Sequence, residues 1–224
     1  MQFRANHTRL GPPSPATTWD GLGKGQELGA SGRAGSEITR ELARRGHSVT
    51  AIARHPERIP AAAGVTAVAG DAHDPAALVA LLRGSEAVIS ALHFDVQAPT
   101  LLAALREAGV PRLLVTGGAA SLEVAPGKWL IDSPDFPAEW QTIAREGIAF
   151  LDSLRGETAI DWTFFSPAAL IFEGPRLGHY RLGDDQLVVD AAGDSKISFA
   201  DYAIAMVDAL EQHHHSRARF TAAY

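Results

Sequence analysis

The 224-residue chain contains no cysteine, which removes disulfides, thiolate nucleophiles and cysteine-held metals together and leaves the redox compartment open. It has no basic excess either: 20 Lys and Arg face 26 Asp and Glu, a formal charge of −6. A general nucleic-acid surface or an anionic-membrane surface is therefore not expected, and any basic residue that matters acts locally. No apolar run approaches the length of a membrane-spanning helix, and the first residues lack a signal-peptide core, so the expected place of work is the cytoplasm. The G-x-S-x-G elbow and the H-E-x-x-H zinc motif are both missing. Three adjacent histidines, His213, His214 and His215, end a predicted helix, where successive rings diverge, and no metal site is expected from them. The chain shows no internal repeat and no low-complexity tract.

What is present is ordinary in amount, with 46% apolar and 21% charged residues, and suits one medium-sized domain. Residues 1–25 hold Gly, Pro, Ser and Thr without an apolar period and read as a loose tail, leaving a single domain over 26–224. After Gly32, the apolar Ala34, Ile38 and Leu42 recur at helical spacing, with Glu37, Arg40, Glu41 and Arg44 assigned to the other face and Gly46 as the closing cap. Strand-like runs follow at 48–53, 64–70, 86–92, 112–118 and 161–167. Between them lie helical segments: one opened by Asp74 and Pro75, one through Leu101, Leu102 and Leu105 to Gly109, and one over 137–154. This alternation predicts an α/β fold with a doubly wound parallel sheet, Rossmann-like, and with ligands received at the carboxyl ends of its strands. Beyond Pro167 the alternation stops. Residues 179–190 read as a hairpin, Ser198 and Asp201 as a capping box ahead of a last helix, and RFTAAY as an edge strand.

Gly29, Gly32 and Gly35 form GASGRAG at the start of the first helix, a spacing suited to a tight turn, close backbone approach to a pyrophosphate and tight packing of helix on strand. From about Gly29 to Tyr224 the chain resembles the atypical short-chain dehydrogenase/reductases, the NAD(P)H-binding group with NmrA-like and biliverdin-reductase-B-like members. The stretches that carry the resemblance are GASGRAGSEITRELARRGHSVTAIARHPERI, GDAHDP, VISAL, RLLVTGGAASLEVAPG, DFPAEW, DWTFFSPA and YRLGDDQLVVDAAGDSKISFADYAIAMVDALE. The resemblance implies a cofactor site made by Gly29, Ser31, Gly32, Arg33, Ala34, Gly35, Arg54, Asp71, Ala72, Ser90, Ala91, Leu92, Gly117 and Pro167. The second strand ends in Ala53-Arg54-His55 rather than in an acid that would accept from a ribose 2′-hydroxyl. Arg54 and Arg33 suit a 2′-phosphate, so NADP(H) is expected over NAD(H), although both also read as solvated surface charges.

Short-chain dehydrogenases pair a Tyr with a Lys four residues on, the lysine lowering the tyrosine pKa for proton exchange with a carbonyl. Here the matching helix holds Trp140 and Ala144, so the pair is missing and no catalytic residue is assigned. The substrate side is expected in 119–140 and 167–200, with His93, Gly118, Ser121 and Trp140 as pocket residues. Hydride transfer without a protein acid suits a flavin or a quinone, whose reduced form takes its proton from water. The reading is an NADP(H)-dependent oxidoreductase acting on a small acceptor of that kind, alone or as a homodimer, without nucleic-acid or membrane partners. The alternative is an NmrA-like protein that binds NADP(H), senses redox state and does no chemistry. A sugar-nucleotide epimerase is disfavoured by the short C-terminal region and the missing pair.

One absence cuts against the rest. A central parallel strand is normally a run of Val, Ile and Leu, yet Lys24-Gly25-Gln26-Glu27 precedes Leu28. An altered reading frame upstream of Gly29 would give this pattern. The polar run predicts a frayed first strand, at most Gln26 to Leu28, and a weakened glycine turn.

Overall fold

The computed structural model describes residues 24–224. The expected tail lies outside them as far as residue 23; Lys24 and Gly25, which that expectation included, belong to the first strand. In chain order the elements are β1 (Lys24–Leu28), α1 (Arg33–Arg44), β2 (Ser48–Ala53), β3 (Val65–Ala69), α2 (Pro75–Leu82), β4 (Ala87–Ser90), α3 (Ala98–Ala108) and β5 (Arg112–Thr116). A two-strand ribbon, β6 (Glu123–Ala125) and β7 (Lys128–Trp129), precedes α4 (Gln141–Arg155) and β8 (Asp161–Ser166). The chain ends with β9 (Leu170–Phe172), β10 (Arg181–Gly183), β11 (Lys196–Ser198), α5 (Phe199–Glu211) and β12 (Ala218–Ala223). None of the helices described is long and apolar enough to cross a membrane.

The sheet runs β10-β12-β8-β5-β4-β1-β2-β3, parallel throughout except for β10 on β12. This is the Rossmann-like sheet that the alternation predicts, with strand order reversing on either side of β1 and β4. One face is covered by α1 and α5, burying Ile38, Leu42, Met206 and Leu210 together with Phe165 and Phe220. The other is covered by α2, α3 and α4 through Leu78, Leu82, Leu101, Leu105, Leu151 and Leu154. Asp74 caps α2 by accepting from the amides of Ala76 and Ala77, and Gly109 ends α3 in the left-handed region.

Four expectations need correction. Residues 179–190 do not form a hairpin; Arg181–Gly183 pair instead with β12, which lies between β8 and β10 and is not an edge. The capping box is half made. The Ser198 hydroxyl accepts from the Asp201 amide, but the Asp201 carboxylate turns to the amides of Leu177 and Gly178, at 3.1 and 2.8 Å, and to the Tyr224 hydroxyl. Glu41, assigned to the solvent face of α1, is buried because Arg44, Arg45 and Arg176 enclose it. Burial pushes its carboxyl up, but Arg176 and Arg45 outweigh that and hold it below the ordinary carboxylate range. Arg45 continues to Asp208 at 2.8 Å and Glu211 at 2.7 Å on α5, tying the two helices together.

The frayed first strand is also corrected. All five residues of β1 pair in register with Ser48–Ile52, and Gly25–Leu28 pair with Ala87–Ser90 on the other side. Backbone ladders are indifferent to side-chain polarity, so two flanking strands order this segment despite its composition. The side chains fit less well. Glu27 is fully buried; one oxygen accepts from the Thr39 hydroxyl of α1 and the other has no partner. Gln26 donates to the Leu81 carbonyl, leaving its own oxygen unpartnered. Gly25 borders a void of about 20 Å³ among Leu42, Val49, Ala87, Ile89 and Leu210.

Burial raises the Glu27 pKa well above its ordinary value, and the Thr39 hydroxyl offsets only part of that. The folded protein therefore holds the Glu27 proton more tightly than the unfolded chain. Stability from this group is full below the unfolded value of about 4.3, declines as pH rises, and is lost above the folded pKa. Denaturant titrations from pH 4.5 to 8.5 will show stability falling across this window, and Glu27→Gln will remove that component of the slope. Glu27→Leu will stabilise the protein at pH 7.5 by roughly 1 kcal/mol, because eliminating a buried carboxyl with one unpartnered oxygen outweighs the acceptor lost to the Thr39 hydroxyl. Gly25→Ala, whose methyl would meet nothing closer than the Ser48 carbonyl at 4.0 Å, will add about 1 kcal/mol by strand propensity and void filling. A destabilised Gly25→Ala protein would contradict this packing.

Candidate functional site

The turn after β1 is shaped by two glycines with different duties. Gly29 has φ 80° and its amide donates to the Ile52 carbonyl at 3.0 Å; a Cβ there would lie 2.5 Å from the Ala91 oxygen. Gly35, one turn into α1, would set a Cβ 2.3 Å from the Gly29 oxygen. The helix therefore crosses the turn at a separation that only glycine permits. Between them Gly32 is exposed and N-caps α1 without any side-chain cap, leaving the first amides of the helix available to an anionic oxygen.

A cleft of about 220 Å³ opens in front of this turn, at the carboxyl ends of β1 to β4. It gathers Gly29, Ser31 and Gly32 from the turn and Arg54 from the end of β2. Asp71 and Ala72 enter from the end of β3, and Ala91, Leu92 and His93 from the end of β4. Sequence reasoning missed Arg58 and Asp95, which also line it. Arg58 ends the short 3-10 turn Pro56–Arg58, which leaves no periodic signal in the sequence. His73 bridges two acids, with Nδ1 2.9 Å from Asp71 and Nε2 3.2 Å from Asp95. The Asp71 hydrogen bond raises the His73 pKa, and the His73 amide and then its ring lower that of Asp71.

A second pocket of about 610 Å³ continues along the same edge, past the ends of β5 and β8. It is bounded by Gly118, Pro167 and Trp140, with Phe94, Phe136 and Ile143 adding apolar surface. Trp140 is 53% exposed, so it is a pocket wall rather than a core aromatic. Ala144 lines the pocket four residues on, leaving this stretch of the helix without a proton donor.

Other candidates are not brought to either cavity. The Arg33 guanidinium sits over the Phe199 ring, 5.2 Å from its centroid, on the far side of the turn. Ala34 and Gly35 belong to the first turn of α1 and contribute backbone and packing. Ser90 is buried within β4. Gly117 has no room for a Cβ against the Phe164 ring, and its amide donates to Phe165 at 2.8 Å. Ser121 is buried and accepts from Arg219 through both its hydroxyl, at 2.9 Å, and its carbonyl, at 3.1 Å. The described residues hold no group of acids and histidines that could bind a metal ion.

A family model described as NAD(P)H-binding matches residues 29–213. A candidate exported protein from Burkholderia pseudomallei is 45% identical, with a TM-score of 0.83 over 90% of this chain and 100% of that one. A candidate epimerase from Bacteroides thetaiotaomicron is 40% identical, with a TM-score of 0.86 over 91% and 98%. A candidate NADH-flavin reductase from Streptococcus pneumoniae is 33% identical, with a TM-score of 0.79 over 90% and 99%.

Gly35→Ala tests the contact between helix and turn. The added methyl forces the two apart, so thermal unfolding will show a loss of roughly 1–3 kcal/mol. An unchanged melting temperature would mean that the turn is not held by this contact.

Proposed function

The chain belongs to the NAD(P)H-binding family of atypical short-chain dehydrogenase type, and on that premise we propose that it is an NADP(H)-dependent reductase that passes hydride to a small planar acceptor. The observation that carries this reading is that a polar cleft and an apolar pocket lie side by side along one edge of the sheet, with His93 and Asp95 lining the first and Phe94 the second. The residues suit the cofactor. The turn has no side chain at Gly29 or Gly32, the helix amides behind it are uncapped, and Arg54 with Arg58 supplies two guanidinium groups, beside the Asp71 and Asp95 carboxylates of the same cleft, that suit an adenosine 2′-phosphate. When bound, the cofactor supplies a hydride from its nicotinamide ring.

The chain's own part is placement. Phe94, Trp140 and Ile143 present flat and aliphatic surface that would hold a planar acceptor and keep water from its apolar face. With Trp140 and Ala144 where a Tyr and Lys would serve as acid, the proton for the reduced acceptor comes from water, which limits substrates to those whose reduced form is itself basic. Epimerisation through a ketone needs protein-borne proton transfer at carbon or oxygen, and the pocket wall offers none at these positions. A second reading draws on the same absence: a protein of the NmrA-like kind that binds NADP(H) and turns nothing over. Following NADPH absorbance with quinones and flavins separates the two, since binding without any consumption favours the sensor.

The double substitution Arg54→Ala, Arg58→Ala will weaken NADPH binding by at least about tenfold, the equivalent of one or two lost charge-assisted hydrogen bonds, and will leave NADH nearly unaffected. Nucleotide fluorescence titration reads both. Equal loss for the two nucleotides would remove the 2′-phosphate assignment, and no saturable binding of either to the wild-type protein would remove the reading altogether.

A further inference from the structure

The apolar pocket carries a charge pattern that its shape does not require. Among the described residues, Asp135 is the one ionisable side chain in its lining, and no Lys, Arg or His joins it. The nearest cations along the chain, Lys128 and Arg145, stay outside. Asp135 is exposed and has no hydrogen-bond or ion-pair partner among the described residues, so its charge is not neutralised by the protein. The cleft next door does hold cations, Arg54 and Arg58, beside Asp71, Asp95 and an uncapped helix start. An acceptor bearing a phosphate would bring a negative charge into a pocket with no cation to receive it and one carboxylate to repel it.

We propose that this pocket selects acceptors without an anionic group, taking neutral para-quinones and unphosphorylated isoalloxazines over their phosphorylated counterparts, and that Asp135 sets the discrimination. The inference rests on the reductase reading for its chemistry. With a quinone, one hydride and its electron pair leave the reduced nicotinamide, a proton is taken from water, and a hydroquinone and the oxidised nicotinamide result; no further oxidant or reductant is needed. Trp140, Phe94 and Phe136 contribute ring surface for a flat neutral molecule. Ser133 is the other polar side chain in the lining apart from Asp135, and it offers a neutral hydroxyl rather than a charge.

Riboflavin and FMN differ only by a phosphate, so their ratio isolates the charge term. With NADPH saturating, the wild-type protein will show kcat/KM for riboflavin at least about tenfold above that for FMN, with the neutral quinone menadione on the riboflavin side of the gap. Asp135→Asn will raise FMN turnover more than riboflavin turnover and narrow the ratio, and added salt will narrow it in the wild type more than in the variant. FMN matching riboflavin in the wild type, or a ratio unmoved by Asp135→Asn, overturns the inference. If NADPH binds but no acceptor consumes it, the reductase reading fails, and the inference is then decided by quenching of tryptophan fluorescence. Tighter binding of riboflavin than of FMN, with the gap narrowed in Asp135→Asn and the signal reduced in Trp140→Phe, upholds it; equal affinities sink it.

Discussion

The structure depends on one backbone contact, the approach of Gly35 in α1 to the carbonyl oxygen of Gly29. That contact fixes the angle at which the first helix leaves the first strand, and with it the direction of the uncapped helix amides. Gly29 is constrained a second time by the Ala91 oxygen from the end of β4. A turn clamped between its own helix and a neighbouring strand has little freedom left, and a ligand that binds there meets a cradle already formed. Ordering a free loop would cost about 1–2 kcal/mol per residue; here folding has already met that cost.

This clamp explains why the polar first strand does not unmake the site. The sequence shows Gln26 and Glu27 where apolar residues belong, and from side chains alone a frayed strand is the consistent expectation. Position in the sheet decides otherwise. β1 lies between β2 and β4, and its amides and carbonyls find partners on each side whatever its side chains are. The conflict is displaced into the interior, as an unpartnered carboxyl oxygen, an unpartnered amide oxygen and a small void at three successive positions. A strand can satisfy its backbone fully and its side chains poorly, and composition reports only the second.

Legibility followed the same division. The alternating runs from Ser48 to Ser166 read correctly because helix and strand periods are local properties, and the parallel sheet follows from their order. In the C-terminal third the last helix and the last strand were legible, but the pairing was not, because Arg181–Gly183 pair with a strand some forty residues on and nothing in a local window favours that partner over QLVVD. At the cleft, residues on strand ends were placed from topology alone. Arg33 was not, since a first-turn side chain can lie on either side of the helix start and the Phe199 ring draws it to the far side. Arg58 was missed because a short 3-10 turn has no periodic signature. Ser121 was read as a pocket hydroxyl because its buried partner, Arg219, is remote in sequence.

The enclosure of Glu41 bears on how divisible the molecule is. Arg176, from the segment after β9, reaches back to a carboxylate on the first helix, and Arg45 beside it engages Asp208 and Glu211 on the last. The half that forms the cleft thus keeps one of its buried charges compensated in part by Arg176, a residue contributed from the other half, beside its own Arg44 and Arg45. A fragment ending after β8 would expose the flank that β12 covers and strip Glu41 of the Arg176 guanidinium. For this chain, exchanging acceptor-side segments between relatives, as one would swap interchangeable cassettes, must carry Arg176 and the α5 acids along with the pocket.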